Sequence, residues 1–449
     1  MRRAVDAGPV RAPVRGPVRL LDVELGLALD DVEPLTPVFG GAYEELRILV
    51  RLHRRPLGML SVRLFDGCLD AGLMADAIWV ELAGAIRDHC RRDGMCEPEK
   101  LTADGLPHAG RAEPPCSWRR SAARSAARSA DAGADLPRAT IVITTCGGDG
   151  RRLEDTVHGA LAQSYPNFEV VVVDNRPGAS GVPGALAAFA HDGRVRYAAE
   201  GRPGLSHARN RGAAVAAGGI VAFTDDDVVL DPDWLGCLVG GFDDPRVACV
   251  TGLILPLELE TSAQRLLEEF GGYSKGFAPR TWDLDRNRPD NPLYPYTVGA
   301  FGSGANAAFR APALAALGGF AGCLGAGTLA RGGEDLDLYV TCVQRGYRIN
   351  YEPAAIVRHA HLREMEQVRG KVRDYGVGLG AMLTKHLVQS PATAAALLSR
   401  VPRGLVHLLS AASPKNAGRS RAYPPSLVRA ELRGLVYGPV AYGRSRRAS

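Results

Sequence analysis

The chain has 449 residues, 46% of them hydrophobic and 23% charged, the make-up of a globular protein of two or three domains rather than a fibrous or disordered one. Its net charge of +5, from 54 Lys+Arg against 49 Asp+Glu, is too small a basic excess to indicate a nucleic-acid partner. The nine cysteines are scattered, with no C-x-x-C pair, so neither a disulfide framework nor a zinc site is expected from them and a cytoplasmic location fits.

Residues 1–40 read as a basic tail. The stretch "LLDVELGLALDD" within it carries Asp22 and Glu24 and fails as a signal-peptide core. Residues 41–115 read as a small α+β accessory domain. In it "LRILVRLHRRPLGMLSVRLF" alternates as a hairpin would, turning around Arg55-Pro56-Leu57-Gly58. "DAGLMADAIWVELAGAIRDHCRR" follows at helical spacing. The Ala/Ser/Arg-rich residues 116–138 read as a linker.

From residue 139 the pattern changes to short β-branched runs alternating with helical ones. "ATIVITTC" and "FEVVVVD" read as buried strands, "RVRYAAE" as a third and "IVAFTDDD" as the next. Such alternation predicts an α/β domain over 139–365 with an open, mostly parallel, doubly wound sheet. Its ligand site is expected at the carboxyl ends of the strands. Thr144, Asp174 and Asp225 to Asp227 all fall there. Clustered carboxylates facing a cleft suit a hard divalent cation, Mg²⁺ or Mn²⁺, bound together with substrate phosphates. A solvated acidic turn would explain one such cluster, but that explanation must be used twice to cover Asp174 as well.

Further along, a glycine-rich loop runs into "GGEDLDL", where Glu334 and Asp335 open a helix. Carboxylates at a helix start are favoured by its dipole by about 0.3–1 kcal/mol; the functional alternative is a general base held beneath a flexible loop. "VRHAH" then places His359 and His361 on one face of an extended segment, as potential metal ligands. Residues 366–449 read as a helical extension ending in a basic tail. Its helices either pack on a core or rest a basic amphipathic face on a membrane.

Taken in order, "IVITTC", "QSYPNFEVVVVDN", "GLSHARNRGAAVAAGGIVAFTDDD", "GSGANAAFR", "GGFAGCLGAG", "GGEDLDL" and "VRHAH" resemble the family 2 glycosyltransferases of GT-A fold. The resemblance spans about half the chain. It implies a metal-dependent inverting transfer of a sugar from a nucleotide-diphosphate donor to an acceptor hydroxyl, in cell-envelope, polysaccharide or glycoconjugate biosynthesis. It implies that Thr144 and Asp174 contact the donor's base and Asp225 its ribose. Asp227 would ligate the metal of the D-x-D motif, with Asp226 as alternative if the register shifts. Asp335 would be the base, with Glu334 beside it. His359 would be the late metal ligand, with His361 as second choice. Arg209 and Asn210 would order the loop near the diphosphate, and Asn306 would line the acceptor side. The acceptor would be a carbohydrate, a lipid-linked sugar or a small molecule, reached in the cytoplasm with peripheral membrane contact through the C-terminal helices. One departure is "TTCGGDG" after the first strand, where many relatives carry an aromatic residue or Asn against the base. Two other readings compete: a sugar-phosphate nucleotidyltransferase, and a non-catalytic sugar-nucleotide-binding protein.

Overall fold

The computed structural model describes residues 16–38, 40–64, 66–106, 136–410, 413, 416 and 423–449. Most of the expected linker, residues 116–135, lies outside the described residues. The chain divides into two compact units.

The first unit contains the described residues of Met1–Ala132 together with Pro256–Glu268 and His361–Glu364, two segments borrowed from the middle of the chain. Its sheet has three strands: β1 (Val18–Glu24), β2 (Glu45–Leu52) and β3 (Arg55–Arg63). β1 runs parallel to β2 and β3 antiparallel to it. β1 falls inside the stretch expected to be a tail. Its sequence VRLLDVE breaks strict alternation, and its pairing partners begin 27 residues downstream (Val18 opposite Glu45), so no local pattern marks it. The hairpin also turns earlier than expected. Leu52 pairs with Arg55, leaving His53 and Arg54 as a two-residue loop with φ of 53° and 64°. Both φ values are positive, as in the turn whose twist suits a tight hairpin. Pro56 is absorbed in β3 opposite a register shift at Val50/Arg51. Helix α1 (Ala71–Asp93) is capped by the Asp70 side chain, which accepts from the Leu73 N–H. It packs Met74, Ile78 and Ile86 with Leu46, Ile48, Val50 and Leu52 in one apolar core.

The second unit is built on a nine-stranded sheet. Its first half is parallel: β4 (Ala139–Thr145), β5 (Phe168–Asp174), β6 (Val195–Ala199) and β7 (Ile220–Asp225). Helices α2 (Gly150–Leu161) and α3 (Leu205–Val215) form crossovers between them. β4 and β5 are buried along their whole length, which explains their unbroken β-branched runs. Beyond β7 the sheet becomes mixed, so the parallel part is one half of it. β8 (Val228–Leu230), β9 (Val247–Pro256), β10 (Arg280–Trp282), β11 (Asn306–Arg310) and β12 (Arg348–His359) complete the order β10-β12-β9-β11-β7-β4-β5-β6, with β8 on β12. β11 runs antiparallel to both β7 and β9, and β8 antiparallel to β12. Helix α4 (Trp234–Gly240) follows β8, α5 (Ala311–Leu317) follows β11, and α6 (Glu334–Gln344) precedes β12.

The C-terminal extension is helical, as expected: α7 (Met365–Gln389), α8 (Pro391–Leu398), α9 (Val401–Leu409) and α10 (Pro425–Ala448). α7 is a packing helix. Its Gly376 and Gly380 lie directly against the backbone of α10, and Gly434 and Gly438 of α10 answer them. Lys385 and His386 on α7 face the buried carboxylate of Asp337 on α6 at 2.7 and 3.1 Å. α9 has no buried residue and exposes Val401, Leu405, Val406 and Leu409. No helix among the described residues is long and apolar enough to cross a membrane.

Candidate active site

Register places the acidic strand ends side by side. Thr145 lies opposite Asp174 of β5, and Thr144 opposite Asp225 of β7. With strands ~4.8 Å apart, Asp174 and Asp225 flank β4 on the same edge. After Asp225 the chain turns through Asp226 and Asp227 into β8, and β12 runs back along β8 with His359 opposite Val228. His359 Nε2 thereby sits 3.5 Å from Asp227 Oδ1 and 4.0 Å from Asp225 Oδ2. The ligand atoms of the three residues lie within 4.8 Å of one another.

Two features fit this cluster to a cation. The Nδ1 of His359 is 2.8 Å from the Ala360 carbonyl, a contact that aims Nε2 at the two carboxylates. One imidazole nitrogen and two carboxylates converging on one point form a donor set that a divalent cation can satisfy. Burial, only partly offset by His359, also raises the pKa of Asp227. Asp226 is pushed up to about 6, by burial first and by its two charged neighbours after that, while a hydrogen bond with Thr145 pulls it back. Oxygen donors with one imidazole suit Mn²⁺ or Mg²⁺. The Tyr273 ring stacks on His359 at 5.6 Å, and its hydroxyl bonds to that of Tyr375 on α7. His361 takes no part in the cluster: it is buried and pairs with Glu268 at 3.0 Å.

Arg209, on α3, joins this edge to the start of α6. The side chain is 2% exposed; one terminal nitrogen donates to Glu334 Oε1 at 2.8 Å and the other to Asp225 Oδ1 at 3.2 Å. Burial pushes the Glu334 carboxyl up, Asp335 adds to the rise, and Arg209 opposes it. α6 can begin here because Gly333 takes a φ of +86° with its Cα against Gly378 of α7, where a Cβ would lie 2.5 Å from the Gly378 carbonyl oxygen. Asp335 is only half-buried. It accepts from the Gly304 N–H at 2.9 Å and from its own neighbour Leu336 at 2.8 Å. Gly304 in turn lies against the guanidinium, since a Cβ there would stand 2.5 Å from Arg209 Nη1. One buried cation therefore fixes Asp225, Glu334 and the backbone that holds Asp335.

The remaining candidates sit as follows. Asp174 is buried, accepting from the Arg176 N–H at 2.9 Å, the Ser180 hydroxyl at 2.5 Å and the Tyr197 hydroxyl at 3.1 Å. The Thr144 hydroxyl is buried and has no hydrogen-bond partner among the described residues, as a group reserved for a ligand would. Asn210 grips the backbone of Phe320, giving and receiving a bond of 2.8 Å, and so anchors the glycine-rich loop. Asn306, expected to line the acceptor side, is instead fully buried in the sheet. It accepts from Trp234 Nε1 at 2.8 Å and donates to the carbonyls of Leu253 and Ala355 at 3.0 and 2.8 Å. Its neighbour Gly304 is the part of "GSGAN" that touches the site. Sequence reading missed Gly304, Tyr273 and Tyr375: nothing local announces a close approach or a stacking ring.

Residues 140–318 match the family model described as Glycosyl transferase family 2. They form a family 2 glycosyltransferase domain. The chain is 28% identical over 215 residues to the pre-mycofactocin glycosyltransferase of Mycobacterium tuberculosis, a match covering 46% of this chain and 42% of that one. It is 30% identical over 161 residues to an O-antigen chain rhamnosyltransferase of Salmonella typhimurium, covering 35% and 47%. A glucosyl-dolichyl phosphate glucuronosyltransferase of Haloferax volcanii matches at 30% over 119 residues, 26% and 37% of the two chains. The chain thus spans less than half the length of these curated relatives. Among solved structures, a mannosyltransferase from Pyrobaculum calidifontis in complex with GDP-Man and Mn²⁺ is similar at 19% identity and a TM-score of 0.41, over 74% of this chain and 82% of that one. The family match favours a glycosyltransferase over the nucleotidyltransferase and the non-catalytic binder.

Proposed function

We propose that this chain transfers a sugar, with inversion, from a nucleoside-diphosphate donor to an acceptor hydroxyl, using Asp335 as general base. The observation that carries this reading is the Arg209 bridge, which brings the metal-suited strand end and the start of α6 to one place. Asp225, Asp227 and His359 would hold Mg²⁺ or Mn²⁺, which when bound neutralises the charge of the departing diphosphate. Thr144, through its unpaired hydroxyl, and Asp174 would flank the donor's base, and Asp225 its ribose.

Glu334 is committed to Arg209, so the half-exposed Asp335 is the carboxylate able to meet an acceptor. Its two N–H partners fix its orientation while leaving lone pairs free. As the acceptor oxygen attacks the anomeric carbon, its proton passes to Asp335 and the bond from that carbon to the diphosphate breaks. A base outside the metal-binding set keeps its basicity, whereas a metal-ligated carboxylate would lose much of it.

The acceptor would be a carbohydrate or lipid-linked sugar of a cell-envelope or polysaccharide pathway, in keeping with the names of the relatives. Peripheral contact with a membrane would be made by α9, whose exposed apolar residues recur every three or four positions beside Arg403. Flotation with anionic vesicles tests this: replacing Val401 and Leu405 by Asp should abolish co-flotation, and binding that survives would remove α9 from the reading. For the chemistry, Asp335→Asn should lower turnover by about 10²–10⁴-fold with donor binding unchanged. Unaltered turnover would exclude Asp335 as the base. A panel of nucleotide sugars, scored for Mn²⁺-dependent hydrolysis, identifies the donor.

A further inference from the structure

The accessory unit contains a second constellation of metal-binding side chains. On α1, His89 and Asp93 are four residues apart and so share one face of the helix. His53, at the tip of the β2–β3 hairpin, reaches the same point. Three atoms converge: His53 Nδ1 is 3.0 Å from Asp93 Oδ2, His89 Nε2 is 3.2 Å from the same oxygen, and the two nitrogens are 3.2 Å apart. His89 and Asp93 are buried, and His53 is partly exposed.

We propose that His53, His89 and Asp93 form a zinc site, with solvent or a further ligand completing the coordination.

The geometry supports it directly. Zinc–ligand bonds of about 2.0–2.2 Å set the ligand atoms of a tetrahedral ion about 3.3–3.6 Å apart. The observed triangle is within a few tenths of an ångström of one face of that tetrahedron. Hydrogen bonding alone explains it less well. Each ring nitrogen carries at most one proton, so two protons can bridge at most two of the three edges. The third edge then sets a pair of like-facing groups close together with nothing between them, whereas a cation satisfies all three.

The hairpin tip is held in place for this purpose. His53 and Arg54 occupy left-handed conformations that cost a side-chain-bearing residue energy. Glu24 holds that turn: one oxygen of its carboxylate accepts from the His53 N–H and the other from the Arg54 N–H, each at 2.8 Å. A carboxylate spent on orienting the backbone of a potential ligand is the kind of supporting contact that metal sites require. The pairing of one residue from a hairpin with two from a helix also explains why cysteine spacing gave no sign of the site.

The inference is independent of the transfer reading, and its test is kept separate from it. The full chain carrying Asp227→Asn and His359→Ala, which removes the other cluster, is stripped with a chelator, dialysed against Zn²⁺ and assayed for bound metal. One zinc per chain is expected, and Co²⁺ in its place should give the intense visible absorption of a tetrahedral ion. Adding His53→Asn, a residue that tolerates the left-handed turn, should lower zinc affinity at least a hundredfold with circular dichroism unchanged. His89→Gln should do the same. A folded chain that binds no zinc, or zinc binding that His53→Asn leaves intact, overturns the proposal.

Discussion

Replacing Arg209 by Met removes a cation that the site buries, and the structure fixes what should follow. Glu334 is left 5% exposed and without its partner, and where its carboxyl is ionised the loss of the other member of a buried ion pair typically costs about 3–5 kcal/mol. At about 2–4 °C per kcal/mol for a domain of this size, melting should fall by on the order of 10 °C. The deficit should depend on pH. The folded pKa of Glu334 already lies above its ordinary value, and Arg209 is what restrains it, so the substitution raises it further. A group with a raised folded pKa contributes its full stability below its unfolded pKa and loses it as pH rises through the folded value. Burial has already pushed the parent's Glu334 up to about 7, so Arg209→Met should differ least from the parent well below pH 7, where the carboxyl is protonated in both proteins, and increasingly as pH rises above 7. Adding Glu334→Gln, which removes the stranded charge at nearly constant volume, should recover most of the loss at pH 8. Thermal melts of the three proteins across this range are the assay. A deficit that is the same at every pH, or that Glu334→Gln does not relieve, would refute the argument that Arg209 is there to hold a buried carboxylate.

Gly304→Ala places a methyl 2.5 Å from Arg209 Nη1 and 2.9 Å from its Cζ. It should cost about 1–3 kcal/mol by overpacking, and turnover should fall further than stability, because the same backbone N–H holds Asp335; steady-state kinetics beside a melt separates the two effects. His359→Ala should abolish activation by Mn²⁺, whereas His361→Ala, which breaks a pair with Glu268, should lower stability and leave the Mn²⁺ dependence unchanged. Asn306→Leu strands the Trp234 indole N–H and two buried carbonyls, so it should destabilise by about 2–4 kcal/mol. In the protein that remains folded, donor affinity measured by calorimetry should match the parent's.

The parallel half of the sheet was legible because its strands, buried on both faces, are written as unbroken runs such as IVITT and VVVV. Strand ends in such a sheet share one edge, so the positions of Thr144, Asp174 and Asp225 followed from counting residues. What escaped depends on partners far away in the chain. β1 is a strand because it lies beside β2, not because VRLLDVE alternates. His359 could be told from His361 only once β12 was known to run back along β8, which sets one imidazole among the aspartates and sends the other to Glu268. Asn306 attracted notice for its polarity, yet polarity in a strand centre also serves to tie neighbouring elements together, and here it joins α4, β9 and β12.

The two carboxylates that open α6 show the same division within a single dipeptide. Glu334 and Asp335 are adjacent and both favoured by the helix dipole, so nothing local assigns one of them to chemistry. The assignment comes from α3, 125 residues earlier in the chain, which presents a guanidinium to one side chain and leaves the other to a glycine N–H. On the proposed mechanism the base is the carboxylate left uncommitted when its neighbour binds Arg209. Exchanging the two, as Asp-Glu in place of Glu-Asp, keeps charge and composition and yet should leave the acid bound to Arg209 too short and the base too long. Stability and turnover should fall together in that variant, by more than the loss from either Glu334→Asp or Asp335→Glu alone. A swapped protein with parental kinetics would show that the two positions are interchangeable and that the Arg209 bridge selects neither.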